Sequence, residues 1–357
     1  MEGLFRLRPG NNAMMRISTR FALHFLLIAF SISLGFNRLG AQEERLELEA
    51  LACDGCSWFK GNTHTHTTES DGDSPPEYVA RWYKDHGYDF LILSDHNTLT
   101  DPETLDHLVD DGFLLIPGEE LTTSFEDRAV HVNGLNLREF VAPRQESTLV
   151  GTIQANVDAI REKAGVPHIN HPNFGWSMGP EDLARVGDYR LLEIFNGHPS
   201  VHNYGGGGFP GMEEVWDILL TKGQRVYGIA VDDAHHFQGE FSPTRANPGR
   251  GWVVVKAPDL SAASLMEALE EGRFYASTGV ELEDVLASGT RLEVHVRPKG
   301  NFRYTTTFLG AGGRVLGISQ GPTAVFDLTG PEAYVRARVE DSGGAVAWVQ
   351  PVFVEKR

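Results

Sequence analysis

The stretch from Lys60 to Asn97 reads KGNTHTHTTESDGDSPPEYVARWYKDHGYDFLILSDHN and is dense in metal-ligand side chains. His64, His66 and Asp71 fall within eight residues on a loop rich in Thr, Ser and Gly. Side chains at alternate positions of an extended segment point to the same face, so the two histidines can bind the same metal ion. Neutral imidazole together with carboxylate suits Zn, Mn or Fe better than Ca or Mg alone. This stretch therefore predicts part of a metal site.

Short apolar runs alternate with helical patterns from this stretch to about residue 283. The run DFLILS at residues 89–94 predicts a buried strand, and residues 75–86 predict a helix with proline in its first turn. Alternation of this kind is typical of a parallel α/β sheet or barrel. Beyond residue 283, runs such as RLEVHVR and YVRARVE are divided by Gly, Pro and Asp. They predict a small antiparallel, sandwich-like β domain over residues 284–357.

Ligand-type side chains follow the predicted strands one after another. The carboxyl ends of parallel strands meet at one edge, which is where an α/β barrel carries its active site. A single residue of this kind is equally well a turn cap or a surface group, but seven of the fourteen histidines fall at or beside strand ends. The group as a whole predicts a metal site assembled from many segments. It comprises His64, His66, Asp95, His96, Glu119, Glu120, His171, Asn196, His198, Asp232, Asp233, His235 and His236 at strand ends, together with His131 on a strand.

The order of these motifs resembles the PHP (polymerase and histidinol phosphatase) domain family. The matching segments are THTHTTESDGD, LSDHN, PGEELTT, VHVNGL, NHPNF and VDDAHH, spread over about residues 61–278. The details VDDAHHF and GRFYASTGVEL resemble the branch that includes the carbaryl hydrolase CehA/McbA group. The resemblance implies a distorted (β/α)7 barrel, assigned here to residues 42–283, that holds two or three divalent metal ions (Zn, Mn or Fe).

Nine ligands are implied by the resemblance, motif by motif. One metal would be held by His64, His66, Glu120 and Asp233. A second would share Glu120 and add His131 and His171, and a third would use Asp71, His96 and His235. The segment VDDAHH contains two aspartates and two histidines, so the motif could be aligned in more than one way. Asp233 and His235 have the D-x-H spacing of the family motif and are therefore taken as the ligands. Asp95, Asp232 and His236 would then orient the ligands.

The implied chemistry is hydrolysis by a water that bridges the metals and attacks as hydroxide. Hydrolysis of a phosphomonoester or phosphodiester is the first hypothesis, because many PHP proteins are phosphoesterases. Hydrolysis of a carboxylic ester, carbamate or amide, as in the carbaryl-hydrolase branch, is the alternative. A non-catalytic exported binding protein is a third possibility. It predicts missing ligands, whereas all nine are present.

Substrate contacts are predicted less directly. Arg250 and Arg273 lie just past late strands and could pair with a substrate anion, although surface or structural roles explain them equally well. Asn173 and Trp176 follow the His171 ligand and are candidate substrate contacts. Phe174 and Phe237, together with Trp176, could line an apolar pocket.

The net charge of −18 disfavours nucleic acid and anionic membranes as partners, because both require neutralisation by Lys and Arg. A small-molecule substrate is therefore expected. The sequence leaves the oligomeric state open.

Residues 1–41 resemble a secretory signal peptide, with an apolar run at residues 21–36 and small residues before residue 42. Export to the periplasm or the cell exterior is expected, with no membrane span after cleavage. An uncleaved N-terminal membrane anchor is the alternative. The two cysteines, Cys53 and Cys56, could form a disulfide in such a compartment or remain two thiols.

Overall fold

The computed structural model describes residues 46–48, 51 and 53–356. The predicted signal peptide lies outside the described residues, so export and the alternative anchor stay predictions. Within the part of the chain that is described, no helix is both long enough and apolar enough to cross a membrane.

A large mixed sheet dominates the structure, which confirms the predicted α/β class. In the described residues it has 14 strands, in the order β14-β13-β16-β17-β10-β9-β2-β3-β4-β5-β6-β7-β8, with β1 paired to β17; β11, β12 and β15 form a second sheet. The strands are β1 (Leu46–Leu48), β2 (Ser57–Asn62), β3 (Phe90–Leu93), β4 (Leu114–Phe125), β5 (Arg128–Leu135), β6 (Val166–Ile169), β7 (Leu191–Asn196), β8 (Tyr227–Val231), β9 (Trp252–Ala257), β10 (Phe274–Ser277), β11 (Leu282–Ser288), β12 (Arg291–Val296), β13 (Tyr304–Gly310), β14 (Arg314–Gln320), β15 (Thr323–Asp327), β16 (Tyr334–Asp341) and β17 (Val346–Lys356).

Helices connect the parallel strands. Helix α1 begins with proline, which fits the first helical turn because its missing N–H has no partner there anyway, and it buries Val79, Ala80 and Tyr83. The helices are α1 (Pro76–Asp85), α2 (Leu149–Glu162), α3 (Pro180–Leu183), α4 (Met212–Thr221) and α5 (Ala262–Glu270), with 3₁₀ helices at Pro102–Leu108 and Ala311–Gly313.

The centre of the sheet is tightly packed beside the metal-ligand loop. All four side chains of β3 are buried, as expected for a strand covered on both faces. Gly61 on the adjacent β2 has no room for a side chain, because a Cβ there would lie 2.2 Å from the ring of Phe90. This packing fixes the point at which β2 ends and the His64 segment begins.

The segments after β2 and β8 run side by side. Thr65 and Ala234 form an isolated parallel bridge. The backbone N–H of His66 donates to the Ala234 carbonyl at 2.9 Å, and that of Asp233 donates to the His64 carbonyl at 3.0 Å. Ligands that are about 170 residues apart in sequence are thereby brought together.

The strand pattern departs from simple strand–helix alternation at β4 and β5. The sequence predicts short separate strands at residues 113–116 and 130–135, whereas β4 extends to Phe125 and pairs with β5 as an antiparallel hairpin. In this hairpin Glu120 lies opposite Asn133, and Thr122 lies opposite His131. The hairpin therefore carries two predicted ligands on neighbouring strands.

The C-terminal strands are antiparallel, and most of them continue the central sheet. Strand β17 pairs with β10, and β16 and β13 extend the sheet outward from it. The predicted boundary near residue 283 falls close to the start of β11, but the described residues belong to one compact unit.

A buried ion pair fastens β16 to α4. The guanidinium of Arg336 donates to both carboxylate oxygens of Asp217, at 2.8 and 2.6 Å, and the Tyr334 hydroxyl donates to the same carboxylate at 3.0 Å. Arg336 is 1% exposed and also lies over the ring of Trp216. This contact links the C-terminal strands to a helix that packs on the central sheet.

Cys53 and Cys56 are joined by a disulfide, with their Cα atoms 5.6 Å apart. The bond closes a short turn immediately before β2.

Candidate metal centre

The nine predicted ligands converge on one region of the structure. Their donor atoms form four overlapping groups, in each of which every atom lies within 4.8 Å of the others. The groups are His66/Asp71/His96/His235, His64/His66/Asp233, His64/Glu120/His171 and His96/Glu120/His131. Each predicted ligand belongs to at least one group.

The H-x-H segment presents both imidazoles to one point, as the alternation of an extended chain predicts. The Nε2 atoms of His64 and His66 lie 3.1 Å apart. Oδ1 of Asp233 lies 3.3 and 3.1 Å from these two nitrogens. Asp233 has a positive φ of 50°, a conformation that often marks functional sites. All three side chains are buried or nearly so.

Hydrogen bonds on the far side of two rings determine which nitrogen faces the site. Nδ1 of His64 lies 2.6 Å from the Glu193 carboxylate, and Nδ1 of His235 lies 2.9 Å from the Asp233 carbonyl. Both partners are acceptors, so each Nδ1 carries the proton in the neutral ring. The Nε2 lone pairs are left to face the site, which is the arrangement that a metal ion requires.

Glu120 lies at the centre of the cluster and is fully buried. Its Oε1 accepts a hydrogen bond from Asn170 at 2.8 Å and lies 2.9 Å from Nδ1 of His131. Its Oε2 lies 2.8 Å from Nδ1 of His96 and 3.4 Å from Nε2 of both His64 and His66, yet no hydrogen bond of acceptable geometry reaches it. Burial alone would raise the pKa of Glu120, but the His131 and His64 imidazoles hold it well below its usual range.

These contacts fit a divalent metal better than a purely hydrogen-bonded cluster. A buried carboxylate oxygen without a hydrogen bond, with several imidazole nitrogens close to it, leaves polar atoms unsatisfied unless a cation binds there. Imidazole and carboxylate ligands are compatible with Zn, Mn or Fe. The cluster therefore supports divalent metal binding, while the identity and the number of the ions stay predictions.

One group opens to solvent. Asp71 is 56% exposed, and its carboxylate lies 3.3 Å from Nε2 of His235 and 3.7 Å from Nε2 of His96. The hydrogen bond with His235 lowers the pKa of Asp71. Burial would lower the pKa of His235, but Asp71 and Asp233 raise it to about 9. A cavity of about 160 Å³ leads to this group and is lined by Asp71, His96, His131, His171, Phe174, His198, Asp233 and His235.

The groups differ in part from the partition that the resemblance implies. His64 stands with Glu120 and His171 in one group as well as with His66 and Asp233 in another. His131 falls with His96 and Glu120 rather than with His171. The difference arises because Glu120 lies between these histidines and contacts all of them.

Asp95 and Asp232 hold backbone loops rather than histidine ligands. The Asp95 carboxylate accepts hydrogen bonds from Thr67, Ser70 and Thr100, and so shapes the loop that carries Asp71. The Asp232 carboxylate accepts three backbone N–H groups at residues 249–251 and the Tyr83 hydroxyl. None of these hydrogen bonds reaches a candidate ligand side chain, and the predicted role of both residues in orienting the ligands stays a prediction.

His236 lies beside His235, and its predicted role as a partner of the ligands stays a prediction. Its Nδ1 is buried without a hydrogen-bond partner, and its ring centroid lies 6.4 Å from that of His235. In the described residues, no hydrogen bond from this ring reaches a candidate ligand.

Glu193 is an important residue that the sequence analysis missed. It is 1% exposed, and besides its contact with Nδ1 of His64 it accepts a hydrogen bond from the backbone N–H of His171 at 2.7 Å. One carboxylate therefore orients a ligand from each of two segments. An acidic residue inside the apolar run LLEIFN was the available signal, because a buried charge needs a partner.

We expect Glu193→Gln to reduce metal affinity or activity roughly 10- to 100-fold, as is typical when the partner of a metal-bound histidine is lost. The amide keeps the shape but removes the charge that fixes the His64 tautomer. Titration of metal-free protein with Mn²⁺ or Zn²⁺ gives the affinity, and Glu181→Gln on the surface is the matched control. Equal affinities of the two variants would refute this role.

Several residues predicted to contact the substrate make contacts within the protein instead. The Arg250 guanidinium donates to the backbone carbonyls of Gly197 and Ser242, so it holds two loops beside the site. Arg273 lies at the start of β10, at the opposite end of the sheet from the site, and pairs with Glu271. Phe237 is buried against Trp82 and Tyr83.

Asn173 and Trp176, which flank the cavity residue Phe174 in sequence, also contact other residues of the protein. The Asn173 amide donates to the carbonyls of His202 and Pro210, and the Trp176 ring stacks on His202 and Phe209. Phe174 lines the cavity and lies 5.4 Å from His171, measured between ring centroids.

Comparison with known proteins agrees with this picture. No protein-family model matches the sequence. The chain is 34% identical over 216 residues to the 5'-3' exoribonuclease of Haemophilus influenzae, covering 57% of this chain and 76% of that protein. It is 29% identical over 205 residues to the 5'-3' exoribonuclease Rnm of Salmonella typhimurium, covering 52% of this chain and 64% of that protein, less than two thirds of its length.

A similar fold occurs in a crystal structure of a two-domain protein from Bacteroides vulgatus that contains a predicted PHP-like metal-dependent phosphoesterase. The TM-score is 0.50 at 18% identity, covering 89% of this chain and 99% of that one.

The fold is PHP-like, and the site gathers the ligand types of a divalent metal centre. The chain belongs to the same family as the Haemophilus influenzae 5'-3' exoribonuclease.

Proposed function

We propose that this protein is an exported metal-dependent phosphoesterase that hydrolyses a small-molecule phosphomonoester or phosphodiester. The observation that carries the proposal is the convergence of nine ligand-type side chains beside one open cavity. Membership in a family with exoribonucleases supports it, because RNA is itself a phosphodiester.

Two or three divalent ions (Zn, Mn or Fe) would be held by the four groups described above. When bound, such ions supply Lewis acidity and lower the pKa of water. The protein prepares this chemistry by holding Glu120 ionised and by fixing the tautomers of His64 and His235. Phe174 lines the cavity beside the ligands and offers an apolar contact there.

The proposal also covers the barrel fold and the cellular compartment of the protein. The bridge between Thr65 and Ala234 supports a closed, distorted (β/α)7 barrel. The disulfide between Cys53 and Cys56 supports an oxidising compartment, in agreement with a signal peptide over residues 1–41.

Hydrolysis of a carboxylic ester, carbamate or amide is the second candidate. In the described part of the chain the cavity lining holds no Lys or Arg, while Phe174 offers an apolar contact. A phosphate-binding pocket more often carries a cation of its own, so this lining favours the carbaryl-hydrolase branch.

RNA is a less favoured substrate than a small molecule. The exoribonuclease relatives act on RNA by name, but a net charge of −18 opposes binding of a long polyanion to this chain.

A substrate panel tests the proposal. Metal-loaded protein would be assayed with p-nitrophenyl phosphate, bis-p-nitrophenyl phosphate, 1-naphthyl carbamate and a 5'-phosphorylated oligoribonucleotide. We expect turnover of at least one of the two nitrophenyl phosphoesters. Turnover of the carbamate alone would overturn the phosphoesterase proposal, and hydrolysis of the oligoribonucleotide alone would overturn the small-molecule assignment.

A further inference from the structure

The cavity beside the metal centre is lined by eight residues, six of which belong to the candidate metal groups. Phe174 and His198 are the other two, and only His198 is polar. A substrate in this cavity therefore meets the candidate ligands, an aromatic ring and one additional imidazole.

His198 is held firmly by the loop after β7. Its backbone N–H donates to Oδ1 of Asn196 at 2.7 Å, and its carbonyl accepts from the N–H of Val201 at 3.1 Å. Its ring centroid lies 5.4 Å from that of His235 and 6.5 Å from that of Phe174. The ring is thus placed beside the solvent-facing metal group without being one of its members.

The local hydrogen bonding determines the tautomer of His198. The backbone N–H of Ser200 donates to its Nδ1 at 3.2 Å. Nδ1 therefore accepts, and the proton of the neutral ring must be on Nε2. In the described residues no hydrogen-bond partner for Nε2 is present, so the N–H is free for a molecule in the cavity.

We propose that Nε2–H of His198 donates a hydrogen bond to a non-bridging phosphoryl oxygen of the substrate. This inference rests on the proposed phosphoesterase function and assigns a catalytic residue that is not a metal ligand. A fixed donor is most effective where negative charge develops in the transition state. No proton is transferred in this role, so the contribution is the same whatever the basicity of the leaving group.

The test compares His198→Phe and His198→Gln in the metal-loaded protein with p-nitrophenyl phosphate and phenyl phosphate as substrates. We expect His198→Phe to lower kcat/KM about 100-fold for both substrates, with unchanged metal content by elemental analysis. His198→Gln keeps a donor close to the Nε2 position and should recover part of the loss. His107→Phe, on an exposed histidine outside the cavity, is the matched control.

Binding of inorganic phosphate, measured by calorimetry, provides a readout that does not depend on turnover. We expect His198→Phe to weaken it roughly tenfold, the effect of losing one hydrogen bond to a charged group. Loss of metal, unchanged phosphate affinity, or a larger loss for phenyl phosphate would each overturn the inference. If the wild type hydrolyses no phosphoester but its phosphate affinity still depends on His198, the proposed function fails while the phosphate contact stands.

Discussion

Glu120→Gln is expected to lower kcat/KM for a phosphodiester roughly a thousandfold or more and to reduce the bound metal. Glu120 belongs to two of the four donor groups and contacts Nε2 of both His64 and His66. The amide removes the negative charge and replaces one oxygen by NH₂, which cannot bind a metal. Steady-state kinetics and elemental analysis on the same preparation measure both effects.

Glu119→Gln is the matched control, because it makes the same change one residue earlier on β4. The Glu119 side chain is also fully buried, but its Oε1 accepts the backbone N–H of Val141 at 2.6 Å, and it belongs to none of the donor groups. We expect this variant to keep its metal. If the two variants lose metal and activity equally, the assignment of Glu120 is wrong.

Arg336→Ala is expected to lower the free energy of unfolding by about 3–5 kcal/mol, because it leaves the Asp217 carboxylate buried without its partner. Arg336 and Asp217 are 1% and 6% exposed, and two hydrogen bonds join them. Urea unfolding followed by circular dichroism measures the change.

Two further variants distinguish the loss of the buried ion pair from a nonspecific loss of stability. Arg291 forms a pair with Asp327 in the same region, but both are more than half exposed, so Arg291→Ala should leave the urea midpoint almost unchanged. The double variant Asp217→Leu/Arg336→Met removes both charges and should be more stable than Arg336→Ala. A double variant as unstable as the single one would contradict the explanation.

The candidate ligands could be predicted because most of them lie in short motifs beside a recognisable apolar strand, and because the order of these motifs resembles a known family. The spacing of His64 and His66, for example, is enough to predict that their side chains point to the same side of an extended segment. Glu193 carries no such motif, and its importance depends on which ring it touches after folding. The contacts of Asp232 could not be predicted for a related reason, since three of its partners are backbone N–H groups that no sequence pattern displays.

The fold was predicted at the level of class rather than of strand pairing. Apolar runs identify strands locally, but β4 and β17 derive their roles from partners far away in sequence. The extension of β4 into a hairpin depends on β5, and the joining of the C-terminal strands to the central sheet depends on the pairing of β17 with β10. Such long-range pairing is decided by packing, which local periodicity does not record.

The central claim is that this site performs phosphoester hydrolysis with bound divalent metal. The most direct test measures metal content and hydrolysis of bis-p-nitrophenyl phosphate on one sample, before chelation, after chelation and after Mn²⁺ or Zn²⁺ is restored. The account predicts that activity disappears with the metal and returns when at least two ions per chain are bound. Hydrolysis that persists in fully metal-free protein would contradict it.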